Sequence, residues 1–385
     1  MNNNYRIYNA LSKVVMLGAL RAMFLIGTGI SFTIVASLFA VQTLAKLVFA
    51  MPIGILADRY NRKVVLMFGM IAKIVGYSLL LLTPNLFFLV LAFLLIGLES
   101  ACSESAEDAF VHDYGTLNHA DFMELRGKLK KEQVFSNIIF NFIFAYFYSV
   151  NIFLPIYWVI IISSLAFFPL LFMTEKRVVI DNNSIIDILK KGLPTIYQNQ
   201  QLLYSFVYGV IFLVVILLAI SLKFPVMEAR GISGSMVAYI DTSLQFVAFV
   251  GLTYIKSFQH YCHDHIKEVS SLILVFGLLT AGLFYYFGLI ILLITPLLFT
   301  VVKIDIAKKI ADSSIIEAKT TVLATKEFVI SLLVMILLPL IGYITDTFSV
   351  FFANLFLALC LLIALLVIKI RFRKTVFKNQ LQNCY

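Results

Sequence analysis

Residues 32–83 read FTIVASLFAVQTLAKLVFAMPIGILADRYNRKVVLMFGMIAKIVGYSLLLLT, two long apolar runs joined by the charged segment GILADRYNRK, residues 54–63. Each run has the ~20 residues that a helix needs to cross a ~30 Å hydrocarbon core. Neither run alternates apolar and polar residues as a strand would. Backbone groups in lipid must also be hydrogen-bonded within their own segment. The stretch therefore predicts a hairpin of two membrane-crossing helices.

The whole chain has the composition of such helices. Of its 385 residues, 61% are hydrophobic and 13% are charged, whereas soluble domains are ~45–50% apolar and ~25% charged. This excludes soluble enzymes, nucleic-acid binders and disordered scaffolds. The four cysteines form no CxxC pair and predict no disulfide framework. The N-terminus, MNNNYRIYNALSK, lacks the features of a cleaved secretory signal, so we expect the first apolar run to be retained.

Apolar runs bounded by charges, Gly or Pro predict twelve membrane spans. They cover residues 10–28, 32–53, 64–83, 86–110, 134–152, 154–173, 202–222, 235–255, 268–286, 288–307, 322–344 and 348–369. We therefore predict an all-α polytopic membrane protein with an N-terminal six-helix half at 1–173. A polar cytoplasmic linker follows at 174–201, and its segment IIDILKKGL has the spacing of an amphipathic surface helix. A C-terminal six-helix half at 202–385 ends in a short basic cytoplasmic tail.

The distribution of basic residues predicts the orientation of the chain. Twenty-four of the 30 Lys and Arg residues fall on the side that holds both termini, and two fall in the opposite loops. Because basic loops stay in the cytoplasm, both termini are predicted to be cytoplasmic. The basic residues behind the net charge of +9 then face anionic membrane lipids, and this charge does not indicate nucleic-acid binding.

The segment between spans two and three resembles the signature G-x-L-A-D-R-x-G-R-[KR] of the major facilitator superfamily. The matching positions are Gly54, Leu56, Ala57, Asp58, Arg59, Arg62 and Lys63. Asn61 replaces the usual Gly, and Asn also tolerates left-handed turns. The resemblance implies the major facilitator fold, a multi-pass location in the bacterial cytoplasmic membrane and transport by alternating access. Asp58 is expected to latch a gate through a helix N-terminus or a cation; the alternative is a positive-inside loop with an incidental Asp.

A second stretch, GLESACSESAEDAFVHD at residues 97–113, is similar to the fourth span of a bacterial, efflux-type branch of that family. Gly97, Leu98, Ala101, Ala109 and Asp113 match, and Asp108 stands where the branch has Glu. Span five reads VFSNIIFNFIFAYFYSV and lacks the branch's Gly-Pro-Gly-Gly antiporter cluster, which argues against an ordinary drug/proton antiporter. Asp108, Asp113 and Glu327, which lies near the inner end of span eleven, are therefore interpreted as family-motif or inner-gate residues.

Ionisable residues inside spans are costly and indicate function. The resemblance implies that spans one and four line a central cavity, which would bring together Arg21 and Glu99. Arg21 is a candidate anion clamp or counter-ion, and Glu99 a candidate proton carrier. Glu107 shares the helical face of Glu99, with Glu104 further round. The alternatives are a structural Arg21–Glu99 pair and, for the lower carboxylates, a hydrated helix end.

Three other polar features allow more than one interpretation. Lys73, in span three, either snorkels, contacts a neighbouring helix or meets substrate, and Lys46 is ambiguous in the same way. The cluster HYCHDH at residues 260–265 has a composition able to hold a soft divalent metal, but its spacing matches no closed site, and a solvated loop is the alternative. No metal or cofactor is predicted.

The sequence thus predicts a secondary transporter that exports a small organic solute. Arg21 suits an anion, such as a siderophore, another polycarboxylate or a metabolite. Protons are the expected energy source because the chain has no nucleotide-binding P-loop, and we expect a monomer. The alternatives are an uptake permease of the same fold, or a polytopic membrane enzyme or sensor without a transport cycle.

Overall fold

The computed structural model describes residues 3–16, 18–59, 62–117, 122–173, 200–253, 266–283 and 319–371, and six single positions between 295 and 306. These residues are helical, with short turns and no strand among them. The helices are α1 Asn3–Ser12, α2 Gly18–Gly27, α3 Phe32–Arg59, α4 Arg62–Leu80, α5 Leu86–Leu117, α6 Phe122–Val150, α7 Leu154–Leu171, α8 Gln200–Ala229, α9 Gly234–Thr253, α10 Ile266–Leu283, α11 Lys319–Thr347 and α12 Val350–Arg371.

The described helices follow the predicted spans. Eight of them contain segments long and apolar enough to cross a membrane, and α2 and α10 contain shorter apolar segments. The predicted tenth span, 288–307, is described only at its six single positions, which are all helical. The all-α polytopic class is therefore confirmed, and twelve spans are consistent with the described helices.

The chain forms two compact units. The first comprises Met1–Asp181 and Ile232–Ser243, and the second comprises Asn182–Gly231 and Leu244–Tyr385. The candidate residues on spans one, three and four all belong to the first unit. The predicted division at 1–173, 174–201 and 202–385 stays a prediction, since residues 174–199 lie outside the described part of the chain.

The first predicted span, 10–28, was expected to be one helix, and this is wrong. Helix α1 ends at Ser12 and α2 begins at Gly18, with a non-helical stretch between them. The break frees backbone carbonyls from their usual intrahelical partners. Side chains of α4 and α6 donate hydrogen bonds to three of these carbonyls. Such replacement partners make a helix break tolerable in a membrane.

Several helices extend beyond their predicted apolar limits. Helix α3 continues to Arg59, α5 continues to Leu117 and α6 begins at Phe122. Hydropathy marks where lipid contact ends, whereas helical hydrogen bonding continues for as long as each carbonyl finds its partner four residues on. As a result, Asp113, which lies beyond the predicted end of span four, is on the same unbroken helix as Glu99.

Helix α5 packs closely against α3 and α4 through small residues. A Cβ atom at Gly97 would lie 2.4 Å from the carbonyl oxygen of Gln42 and 2.7 Å from the Cβ of Ala45, both on α3. A Cβ at Gly69 of α4 would lie 2.7 Å from the Cβ of Cys102 on α5. Such glycines allow close backbone approach in membranes, where packing rather than hydrophobic burial holds helices together.

Gly97→Ala is expected to destabilise the first unit by about 1–3 kcal/mol, since the added methyl group must push the α3 backbone away. Gly54→Ala is the matched control. Gly54 lies inside a helix, and beyond the backbone of that helix no atom of the described residues is within 4 Å of its Cβ position, so alanine there should be neutral or stabilising. Thermal unfolding of both detergent-purified variants measures the difference. Equal unfolding temperatures would contradict the packing role of Gly97.

Candidate functional site

Helix α5 carries three polar side chains on one buried face. Glu99, Ser103 and Glu107 are spaced by four residues, slightly more than one helical turn. Their residues are 8%, 3% and 1% exposed. Polar atoms are costly to bury among apolar groups. The polar atoms of this face therefore need hydrogen-bond or ion-pair partners from neighbouring elements.

Lys13, in the break of the first span, supplies one such partner. Its ammonium lies 2.9 Å from Oε1 of Glu107 and also donates to Oγ of Ser103. The Ser103 hydroxyl in turn donates to Oε1 of Glu107 at 2.9 Å. This role of Lys13 was not predicted from the sequence, where Lys13 is one of the 24 basic residues that indicate orientation. The available signal was its position inside the predicted span.

Glu99 differs from Glu107, because it makes no hydrogen bond or ion pair within the described residues. The ammonium groups of Lys73 and Lys13 lie within electrostatic range of its carboxylate without contacting it. A buried carboxylate without a direct partner is expensive when charged. Glu99 is therefore the acidic group of this face best placed to exchange a proton.

Arg21 of α2 is buried, with 8% of its surface exposed. Its guanidinium lies 4.9 Å from the ring centre of Phe39 and 5.3 Å from that of Phe93. The Nε atom has no hydrogen-bond acceptor among the residues that the structure describes. The hydroxyl of Tyr77 is within electrostatic range but does not reach hydrogen-bond geometry. Two aromatic faces therefore stabilise the charge, and Nε–H is a donor without an acceptor among the described residues.

Arg21 and Glu99 do not form the structural ion pair that was the alternative interpretation. They interact over a distance greater than the 4 Å of an ion pair in the described structure. The cluster combines three cations, the buried Arg21 and Lys73 and the partly exposed Lys13, with two buried carboxylates. With all of them ionised, the cluster carries one net positive charge, which favours an anion nearby.

Lys73 of α4 is fully buried, with no exposed surface. Its ammonium donates to the carbonyl oxygens of Ser12 at 2.5 Å and Val14 at 2.9 Å. Lys73 thus contacts a neighbouring segment, which is one of the alternatives that the sequence left open, and does not snorkel to the membrane surface.

Glu104 lies away from this buried face. Its carboxylate is 2.7 Å from the ammonium of Lys46, and the two side chains are 60% and 37% exposed. Glu104 thus lies off the face of Glu99 and Glu107, in line with its predicted position further round the helix. A coupling role for Glu104 stays a prediction.

The motif at residues 54–63 lies at the junction of α3 and α4. Arg62 is buried, and the ammonium of Lys63 donates to the carbonyl oxygen of Leu171 at 2.6 Å. The side chains of Asp58 and Arg59 lie outside the described part. The same holds for the side chains of Asp108 and Asp113 and for the HYCHDH segment at 260–265.

In the second unit, Glu327 contacts two lysines. Its carboxylate lies 3.5 Å from the ammonium of Lys303 and 3.4 Å from that of Lys326. Glu327 is about half exposed, whereas Lys326 is buried. This ion-pair network links α11 to the predicted tenth span, and the inner-gate role of Glu327 stays a prediction.

Residues 7–307 match the sequence model of a family described as the Major Facilitator Superfamily. No curated protein sequence is similar to the chain at a significant level.

Solved transporter structures share the fold across most of their length. The nucleoside transporter NupG superposes with a TM-score of 0.78 at 10% identity, covering 97% of this chain and 99% of that one. A POT family transporter in complex with a thioalcohol-conjugated peptide gives 0.72 at 13% identity, covering 96% of each chain. A bacterial homologue of the human lysosomal transporter Spinster gives 0.65 at 15% identity, covering 90% and 81%. At these identities the likeness establishes the fold alone.

Proposed function

The chain belongs to the major facilitator superfamily, and from that premise we propose that it is a proton-coupled exporter of a small organic anion. As a multi-pass membrane protein of this type, it is a transporter rather than an enzyme. The proposal adds the solute class, the coupling ion, the direction, a monomeric state and a place in the bacterial cytoplasmic membrane with both termini inside. In alternating access, the two halves of the chain move around a central site.

The state of Arg21 carries the proposal. A buried guanidinium normally pairs with a carboxylate, because leaving its charge unpaired is costly. Here two aromatic rings flank Arg21, and no acid in the described residues contacts it. A substrate carboxylate or phosphate can pair with Arg21 through bidentate hydrogen bonds.

The two buried carboxylates support proton coupling. Glu99 lacks a direct partner, and Glu107 is held by Lys13. Export in exchange for protons requires that proton and substrate occupy the site in turn, so the proton on Glu99 and the substrate are proposed to compete for it. Export is favoured over uptake by the resemblance of the fourth span to an efflux-type branch.

The first experiment identifies the substrate class. Detergent-purified protein is screened by thermal shift against organic anions and against neutral analogues of the same size. We expect stabilisation by one class of anion, which Arg21→Gln abolishes. Uptake of that anion into inside-out vesicles, driven by protons concentrated in the lumen, then tests export. Stabilisation by neutral compounds only would overturn the anion assignment.

Asp58→Asn is expected to slow transport without impairing folding. Its carboxylate is proposed to stabilise one gating state, and such coupling is typically about 1–3 kcal/mol. Asp346→Asn, an exposed Asp near the end of α11, is the matched control. Initial transport rates are compared with unfolding temperatures for both variants. Wild-type rates for Asp58→Asn would contradict the gate assignment.

A further inference from the structure

We propose that Lys73 is a positioning residue, whose ammonium fills a cation site at the break in the first span and thereby holds Lys13 against Glu107. We call the contact between Lys73 and the carbonyls of Ser12 and Val14 the Lys73 clamp.

The clamp has the chemistry of a monovalent-cation site. Helix α1 ends at Ser12, where the carbonyl end of the helix dipole favours a positive charge. The carbonyls of Ser12 and Val14 both accept from the same ammonium. In membrane transporters, unwound backbone carbonyls at discontinuous helices are sites for coupling ions. Here a lysine of the chain itself occupies the site, with no carboxylate close enough to form an ion pair in the described structure.

The clamp also fixes the residue between its two ligands. Lys13 lies between Ser12 and Val14, so its backbone is held on both sides while its side chain reaches Ser103 and Glu107 of α5. Lys73 therefore connects α4 to the ion pair on α5 through the backbone of the break.

Helix α6 holds the other side of the break. Asn141 donates to the carbonyl of Val15 at 3.1 Å, and the amide of Val15 donates to Oδ1 of Asn137 at 3.4 Å. Helix α6 thus binds the backbone of Val15, whereas Lys73 binds the carbonyls of Ser12 and Val14. Loss of the ammonium should consequently free the stretch around Lys13 without dismantling the whole bundle.

Hydrogen exchange of the detergent-purified protein tests the clamp without any substrate. In Lys73→Ala, exchange of peptides that cover the break should accelerate about tenfold, as expected for the loss of a hydrogen bond to a charged group. Addition of n-propylammonium, which replaces the lost end of the side chain, should reverse the effect, whereas sodium chloride at equal ionic strength and n-propanol should not. Lys46→Ala, which removes an exposed lysine paired with Glu104, is the control and should leave the break protected.

Two outcomes would overturn the proposal. One is unchanged exchange at the break in Lys73→Ala, and the other is acceleration that n-propylammonium does not reverse. If Lys73→Ala does not fold, Lys73→Arg is measured instead, because its guanidinium can donate to the same carbonyls. Protection of the break in Lys73→Arg then supports the clamp, and exchange as fast as in an unfolded segment overturns it.

A double-mutant cycle tests whether Lys73 acts through Lys13. If the clamp positions Lys13, the loss of stability caused by Lys13→Met should be much smaller in the Lys73→Ala background than in the wild type; in the Lys73→Arg background it should be unchanged. Additive losses in the Lys73→Ala background would show that the two lysines act independently. The clamp and the proposed function are tested separately, so a failed transport assay with an intact clamp would count against the function alone.

Discussion

Glu99→Gln is expected to reduce transport driven by a pH gradient on the order of tenfold or more, while substrate exchange at equal pH survives. Glutamine resembles the protonated acid in shape and charge but cannot release a proton. Net transport, which requires Glu99 to gain and lose a proton in each cycle, should therefore stop. Exchange needs no net proton movement. Proteoliposomes loaded with the anion found by thermal shift, with and without an imposed pH gradient, separate the two activities.

The matched control for this prediction is Glu132→Gln. Glu132 is a partly exposed acid that pairs with Arg6 of α1, outside the buried cluster. Its substitution should change both activities less than twofold, as is usual for a surface ion pair. Full gradient-driven transport by Glu99→Gln would remove the coupling role, and loss of exchange as well would indicate a role in binding or folding instead.

Arg21→Gln is expected to weaken binding of the anionic substrate by about 10–100-fold, since a hydrogen bond to a charged group is worth about 1.5–3 kcal/mol. Arg21→Lys should lose less, because it keeps the charge, but it cannot reproduce the bidentate geometry of a guanidinium. Isothermal titration of the detergent-purified variants with the anion and with its neutral analogue measures both effects.

The neutral analogue is the internal control for Arg21. Its affinity should change little, because it gains nothing from the positive charge. A similar loss of affinity for both compounds would show that Arg21→Gln disturbs the packing of Phe39 and Phe93 rather than removing an anion ligand. Unfolding temperatures of the two variants distinguish these cases.

Local sequence features were sufficient for the class and the family. Twelve apolar runs and the motif at residues 54–63 predicted a polytopic helical protein of the major facilitator type, and the family match and the shared fold confirm it. This was predictable because membrane-spanning length and hydropathy are properties of single segments. The buried positions of Arg21 and Glu99 followed from the same reasoning, since charges inside apolar runs stand out.

The partners of those charges could not be predicted in this way. Lys13 and Lys73 are 60 residues apart in the sequence, yet they act on the same break in the first span. Glu104 and Glu107 are three residues apart, yet one is exposed beside Lys46 and the other is buried beside Lys13.

The sequence by itself determined the apolar segments and the charges within them, because both depend on neighbouring residues along the chain. Only the tertiary structure decided where the first span breaks and which charges pair. A helix break in a membrane is tolerated where other groups satisfy its unpaired backbone carbonyls, and here the donors to those carbonyls, Lys73 and Asn141, come from two other helices.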